Sequence, residues 1–143
     1  MKQLKTSIEI ASSPEKIWNV LMDFKAYPEW NPFIISIIGK PKVRERLRVS
    51  IQPPGSKPMV FKPQVTLFKR NKQFGWLGSL FMRGIFDGHH VFEIEELGNN
   101  KCILIQREEF SGLLVPLLWK SLDTKTRAGF KAMNAKIKDL AEK

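Results

Sequence analysis

The chain has 143 residues, a net charge of +10, a hydrophobic fraction of 43% and one cysteine, Cys102. That length and apolar content describe one domain able to build a core, or a core with a cavity, and exclude a disordered or low-complexity polymer. A single cysteine excludes an intrachain disulfide and a thiolate metal cluster, and the adjacent His89 and His90 lack zinc-site spacing, so neither metal nor other cofactor is expected.

The first residues lack the apolar run of a signal peptide, and no stretch approaches transmembrane length. A soluble, cytoplasmic protein is the expectation. Residues 4–11 alternate as a strand, with Leu4, Thr6, Ile8 and Ile10 on one side. Ser12-Ser13-Pro14-Glu15-Lys16 is a helix start: serine cap, proline in the first turn, early acid. Ile17, Trp18, Val20, Leu21 and Phe24 give that helix its buried face. A second helical turn follows over 24–27, and Glu29-Trp30-Asn31-Pro32 turns the chain into the next strand.

From Phe33 the pattern becomes β, with strands expected over 33–39, 43–52, 59–69, 73–79, 86–97 and 102–111. Gly39-Lys40-Pro41, Arg70-Asn71-Lys72 and Gly98-Asn99-Asn100 supply polar turns. The last segment, 116–143, reads as one amphipathic helix. Leu118, Leu122, Thr126, Phe130, Met133, Ile137 and Leu140 form its apolar stripe, and Lys120, Thr124, Arg127, Lys131, Asn134 and Lys138 are assigned to the water-facing side. Some 24 helical residues make a rod of roughly 36 Å, matched by a strand of about ten residues, roughly 33 Å. The order β-α-α-β6-α describes an α+β domain in which a seven-stranded antiparallel meander curls around the last helix.

Alternate connections of a meander emerge at the same end. The three polar turns therefore share one end, and 52–59, 80–88 and 112–119 share the other. Those loops are unusually apolar, carrying Met59, Leu80, Phe81, Met82, Phe86, Leu113, Leu114, Leu117 and Trp119 among others. They read as a mouth, or as a cap packed on itself. Charge gathers elsewhere. Residues 40–72 hold ten Lys or Arg against Glu45 alone, and Lys40, Lys42, Arg44, Arg46 and Arg48 alternate as one face of a strand. A solvated surface is one reading; an anionic membrane surface or acidic partner is the other. Nucleic acid is disfavoured, because no recognition motif or stacking aromatics accompany the charge.

Ser13-Pro14-Glu15-Lys16-Ile17-Trp18, followed by Tyr27-Pro28-Glu29-Trp30-Asn31-Pro32, resembles the opening of bacterial polyketide cyclase/dehydrase-type proteins of the START-like (SRPBCC) superfamily. Residues 86–94 look like that superfamily's penultimate strand, and Glu108-Glu109-Phe110-Ser111-Gly112 like its closing signature. The resemblance implies a helix-grip fold, a curved seven-stranded sheet on a long C-terminal helix with a cavity between them. It also implies a small hydrophobic ligand of lipid, polyketide or aromatic type, or less often an enzyme of the cyclase/dehydrase kind.

Strand parity puts Phe86, His90, Phe92 and Ile94 on the inner face, and a three-residue loop at Gly98-Asn99-Asn100 would set His90 opposite Glu108 and Phe92 opposite Gln106. A carboxylate beside an imidazole suits a general base, and equally a structural polar pair; the reversed parity, with His89 inward, stays open. Candidate catalytic residues are His90, Glu108 and Arg107. Candidate ligand-binding residues are Trp30, Phe33, Met59, Phe74, Trp76, Phe81, Phe86, His90, Phe92, Phe110, Leu114, Leu122 and Phe130. A third possibility is docking on a membrane or protein through the apolar loops and the basic strand.

Overall fold

The computed structural model describes residues 1–80 and 82–143; Phe81, one of the expected ligand contacts, lies outside the described residues. β1 (Lys2–Ile10) leads into α1 (Pro14–Met22), whose N-cap Ser13 accepts the Lys16 backbone N–H at 3.3 Å. A 3-10 turn (Phe24–Ala26) and the short α2 (Tyr27–Trp30) follow. Then come β2 (Ile34–Ile38), β3 (Arg48–Ile51), β4 (Met59–Phe61), β5 (Gln64–Lys69), β6 (Gln73–Leu80), β7 (Phe86–Gly98) and β8 (Lys101–Ser111). The C-terminal rod is α3 (Val115–Ser121), a π-helical turn (Leu122–Thr126) and α4 (Arg127–Ala141).

Among the described residues eight strands appear where seven are expected, in a five-stranded sheet ordered β1-β8-β7-β6-β5 and a three-stranded sheet ordered β2-β3-β4. The extra strand comes from Pro63, which has no N–H to give the ladder and divides the expected 59–69 strand into β4 and β5. The sheets remain joined there. Leu47 donates to the Pro63 carbonyl, Val65 donates to Glu45, and an isolated bridge pairs Arg46 with Gln64, all in the register of the β3–β4 ladder.

The basic alternation is not one strand face. Lys40, Lys42 and Arg44 sit in a turn before β3, with Arg44 at φ 78°, and all five basic residues are exposed. That turn lies at the end of the sheet opposite the loop over 52–58, so the basic cluster and the apolar loops do not form one docking surface.

The β7–β8 hairpin has the expected register by a different route. Asn99 and Asn100, at φ 53° and 59°, make a two-residue turn of the kind that needs positive φ at both positions. A bulge around Leu97 restores the count, so His90 pairs with Glu108 and Phe92 with Gln106.

The C-terminal rod packs on the concave side. Phe130, Met133 and Ile137 are fully buried, joined by Asn134. At Gly129 a Cβ would collide with the Phe33 ring, so glycine lets α4 pack directly on Phe33, the residue before β2. The N-terminal part of the stripe, Leu118, Leu122 and Thr126, is only partly covered. No helix among the described residues is long and apolar enough to cross a membrane.

Candidate functional site

Pairing registers arrange the concave face in rows across β6, β7, β8 and β1. From the polar-turn end towards the apolar loops, one row is Phe74, Phe92, Gln106 and Thr6, and the next is Trp76, His90, Glu108 and Leu4. The third is Gly78, Gly88, Phe110 and Lys2, and the last pairs Leu80 with Phe86. In the first two rows the β6 and β7 positions are all rings. Trp76 stacks on His90 at 5.0 Å between centroids, with Phe92 at 4.8 Å and Phe130 at 5.0 Å from the same imidazole. In the third row two adjacent glycines bring no side chain inward, and space opens.

That space is a cavity of about 450 Å³, within the ordinary range for small-molecule sites. Phe33, Ile51, Met59, Phe61, Phe86, Phe110 and Leu122 give it apolar walls, while Lys57 and Lys125 stand among its exposed lining residues. The π-helical turn supplies Leu122, Lys125 and Thr126; such turns recur at functional sites because they widen a helix locally. Around it the loops expose Met82 at 71%, Leu113 at 77% and Leu117 at 80%.

Among the described residues Glu108 is the one carboxylate on the lining, and it marks the floor. Its side chain leans over Gly88, where a Cβ would collide with Oε2. Behind it His90, with no exposed surface, brings Nδ1 to 3.4 Å from Glu108 Oε1. That contact is too long for a strong hydrogen bond, and Nδ1 has no hydrogen-bond partner among the described residues.

The other imidazole nitrogen is held by a buried polar chain. Gln106 Nε2 donates to Asn134 Oδ1 at 2.7 Å and to the Phe130 carbonyl at 3.4 Å. Asn134 Nδ2 donates to Thr6 Oγ1 at 2.9 Å, and Thr6 donates to the Gln106 carbonyl at 3.1 Å. Backbone carbonyls only accept, so the direction of the chain is set from its anchors. Gln106 Oε1 is left as acceptor for His90 Nε2–H at 3.0 Å, and Nδ1 is the nitrogen presented to Glu108.

The convex face carries a separate group. Arg107 is not beside His90 and Glu108: it pairs with Glu93 at 2.5 Å and Glu109 at 3.4 Å on the opposite side of the sheet, as residues one step along a strand must. Burial works to raise the Glu93 pKa, but hydrogen bonds from Arg107 and Gln73 outweigh it and hold the carboxyl below its usual range. His89 also faces outward, against Thr66 Oγ1 at 2.8 Å, and burial lowers its pKa against the opposing charge of Glu109.

Of the residues singled out from sequence, Phe33, Met59, Phe86, Phe110, Leu122 and Glu108 are on the cavity lining. Phe74, Trp76, Phe92 and Phe130 are not; they pack around His90 beneath the floor. Trp30 is half-buried against Tyr27, and Leu114 hydrogen-bonds the Ile85 carbonyl away from the lining. Gly78, Gly88, Ile51 and Phe61 were not anticipated. A strand glycine at an inward parity position is the signal for the first two. Among the described residues no group of three or more His, Cys, Asp or Glu is placed to hold a metal ion.

Residues 1–142 match the family model described as polyketide cyclase/dehydrase and lipid transport. No curated protein matches the chain in sequence. Among solved structures, norcoclaurine synthase from Thalictrum flavum is 20% identical with a TM-score of 0.75, over 98% of this chain and 93% of that one. The Zhui aromatase/cyclase from Streptomyces sp. R1128 is 13% identical with a TM-score of 0.78, over 99% and 93%. A START superfamily protein from Mycobacterium smegmatis is 24% identical with a TM-score of 0.71, over 96% and 98%. At these identities the likeness is one of fold.

Proposed function

We propose, for a chain that belongs to the polyketide cyclase/dehydrase and lipid transport family, a binding function: it takes up a small apolar molecule in the cavity between the sheet and the C-terminal rod. The observation that carries this reading is the space of some 450 Å³ beyond the Gly78–Gly88 pair, where the two glycines add no side chain and Phe61 and the Glu108 carboxylate lean over them. The exposed loops at the same end supply an apolar entrance. Norcoclaurine synthase, of similar fold, has been solved with dopamine and hydroxybenzaldehyde, small aromatic molecules of a size that suits such a space.

A neutral apolar fluorophore, N-phenyl-1-naphthylamine, tests the proposal. One equivalent is expected to bind with enhanced emission, and Leu122→Trp, which would project an indole into the space, is expected to abolish binding while the fold is retained. No saturable binding to the unaltered protein would remove the proposal.

The Glu108–His90 contact favours a second reading, acid–base chemistry on the bound molecule. Glu108 rather than His90 would then be the catalytic residue, because the carboxylate lines the cavity and the imidazole lies behind it. Under this reading Glu108→Gln retains binding and loses about 100-fold or more in turnover. Retained turnover would overturn it.

A further inference from the structure

The cavity is apolar on its walls and carboxylate-bearing at its floor, and that asymmetry selects among apolar ligands. We infer that the ligand is an apolar, ring-sized molecule ending in a neutral hydrogen-bond donor, of the phenol or alcohol type, which it delivers to Glu108. The inference rests on the binding function proposed above and specifies the chemistry of that same site.

Three observations carry it. First, Glu108 lies where the chain has made room for it: Gly88 has no Cβ, and the carboxylate occupies the volume a larger residue would take. Second, no hydrogen bond to this carboxylate is formed among the described residues. His90 Nδ1 lies 3.4 Å from it and has no hydrogen-bond partner among those residues either. A carboxylate in such surroundings gains from any donor that reaches it, and a ligand that covers it without donating leaves it desolvated and unpaired. Third, the imidazole cannot turn away. Its Nε2–H is fixed on Gln106 Oε1, Gln106 is fixed by Asn134 and Phe130, and Trp76, Phe92 and Phe130 surround the ring. The imidazole beneath the floor is therefore fixed, and the Glu108 carboxylate that lies over it is left as an acceptor on the cavity lining.

The same geometry disfavours an anionic group at the floor, where it would meet Glu108 at close range in apolar surroundings. It also disfavours a purely hydrocarbon molecule. An acidic headgroup would have to remain at the rim, where Lys57 and Lys125 are exposed to water.

Matched probes test this. 2-Naphthol and 2-methoxynaphthalene share one ring system and differ in the donor, and each is titrated by displacement of N-phenyl-1-naphthylamine from the full chain. Naphthol is expected to bind at least about tenfold more tightly, as one charge-assisted hydrogen bond allows. Glu108→Leu is expected to reduce that ratio to about threefold or less while methoxynaphthalene binds as well or better. Should Glu108→Leu fail to fold, Glu108→Gln removes the charge with little change of shape and is expected to narrow the same ratio. Equal affinity of the two probes for the unaltered protein overturns the inference and leaves the binding function standing. A preference for naphthol that survives both substitutions also overturns it, by placing the acceptor elsewhere. If the unaltered protein binds neither probe nor the fluorophore, the binding function itself fails and the inference with it.

Discussion

His90 Nδ1 and Glu108 Oε1 lie 3.4 Å apart at directly paired positions of β7 and β8, one with no exposed surface and the other on the cavity floor. The pair joins two environments that the fold otherwise separates, a packed aromatic layer and an open apolar space. What holds the imidazole in place is the chain from Gln106 through Asn134 to Thr6, which ties β8, α4 and β1 together behind it.

Gln106→Leu should expose the worth of that chain. The substitution leaves His90 Nε2 and Asn134 Oδ1 without their partner in a buried layer, an expected loss of about 2–4 kcal/mol in urea unfolding. Adding Asn134→Leu removes one of the orphaned groups. The double variant is then expected to fall short of the summed single losses by about 1 kcal/mol or more. Strict additivity would mean that the two amides act independently.

The fate of Asn134 shows what a sequence can and cannot disclose. It follows Phe130 by four residues and precedes Ile137 by three, so helical spacing puts it on the buried face. Its polarity argued for water instead. The partners that make it tolerable inside, Gln106 and Thr6, are 28 and 128 residues away, and no local pattern announces them. The inward parity of His90 and Phe92 was legible because it is a local property. The turn was not: a two-residue turn and a bulge at Leu97 together give the partners that a three-residue loop would have given. The cavity was legible only as an end of the molecule, from the apolar loops. Its actual position depends on Gly78 meeting Gly88 across two strands, while Trp76 and Phe74, large rings that looked equally suited to a wall, fall in rows that α4 closes.

That row assignment predicts different outcomes for two aromatic truncations. Phe130→Ala and Trp76→Ala each remove a side chain no more than 1% exposed, and each is expected to cost about 3–5 kcal/mol. Phe110→Ala, on the lining, borders space that already exists, and is expected to cost less and to change fluorophore affinity more. Chemical denaturation and the fluorophore titration measure both quantities on the same samples. A loss below about 1 kcal/mol for Trp76→Ala would place that ring beside open space.

On the convex face, Glu93 provides a pH signature independent of the cavity. Its carboxyl is held below the usual value of 4.5 in the folded chain, chiefly by Arg107 and Gln73 acting against burial. A depressed folded pKa stabilises the fold wherever the unfolded carboxyl is ionised, and that stabilisation is lost as the pH falls through the folded value. Glu93→Gln is therefore expected to reduce stability at pH 7 and to flatten the decline between pH 5 and pH 3. Parallel stability curves for the two proteins across that range would show that the Arg107 contact is too well solvated to matter.

Gly88→Ala separates the shape of the floor from its charge. Gly88 is absent from the positive-φ positions, so alanine meets no backbone penalty there, and a residue with a Cβ suits a strand interior better than glycine. Its only severe contact is with the end of the flexible Glu108 side chain, which can swing aside. The fold should therefore lose about 1 kcal/mol or less. Selectivity should suffer more: the displaced carboxylate no longer faces a ligand donor at the floor, so the naphthol preference is expected to shrink while methoxynaphthalene still binds. Gly88→Ala combined with Glu108→Gln is then expected to differ little from Gly88→Ala alone, because the carboxylate has already left its position. If Gly88→Ala keeps the full preference, the carboxylate accepts the ligand's donor from a position that does not depend on the vacancy above Gly88.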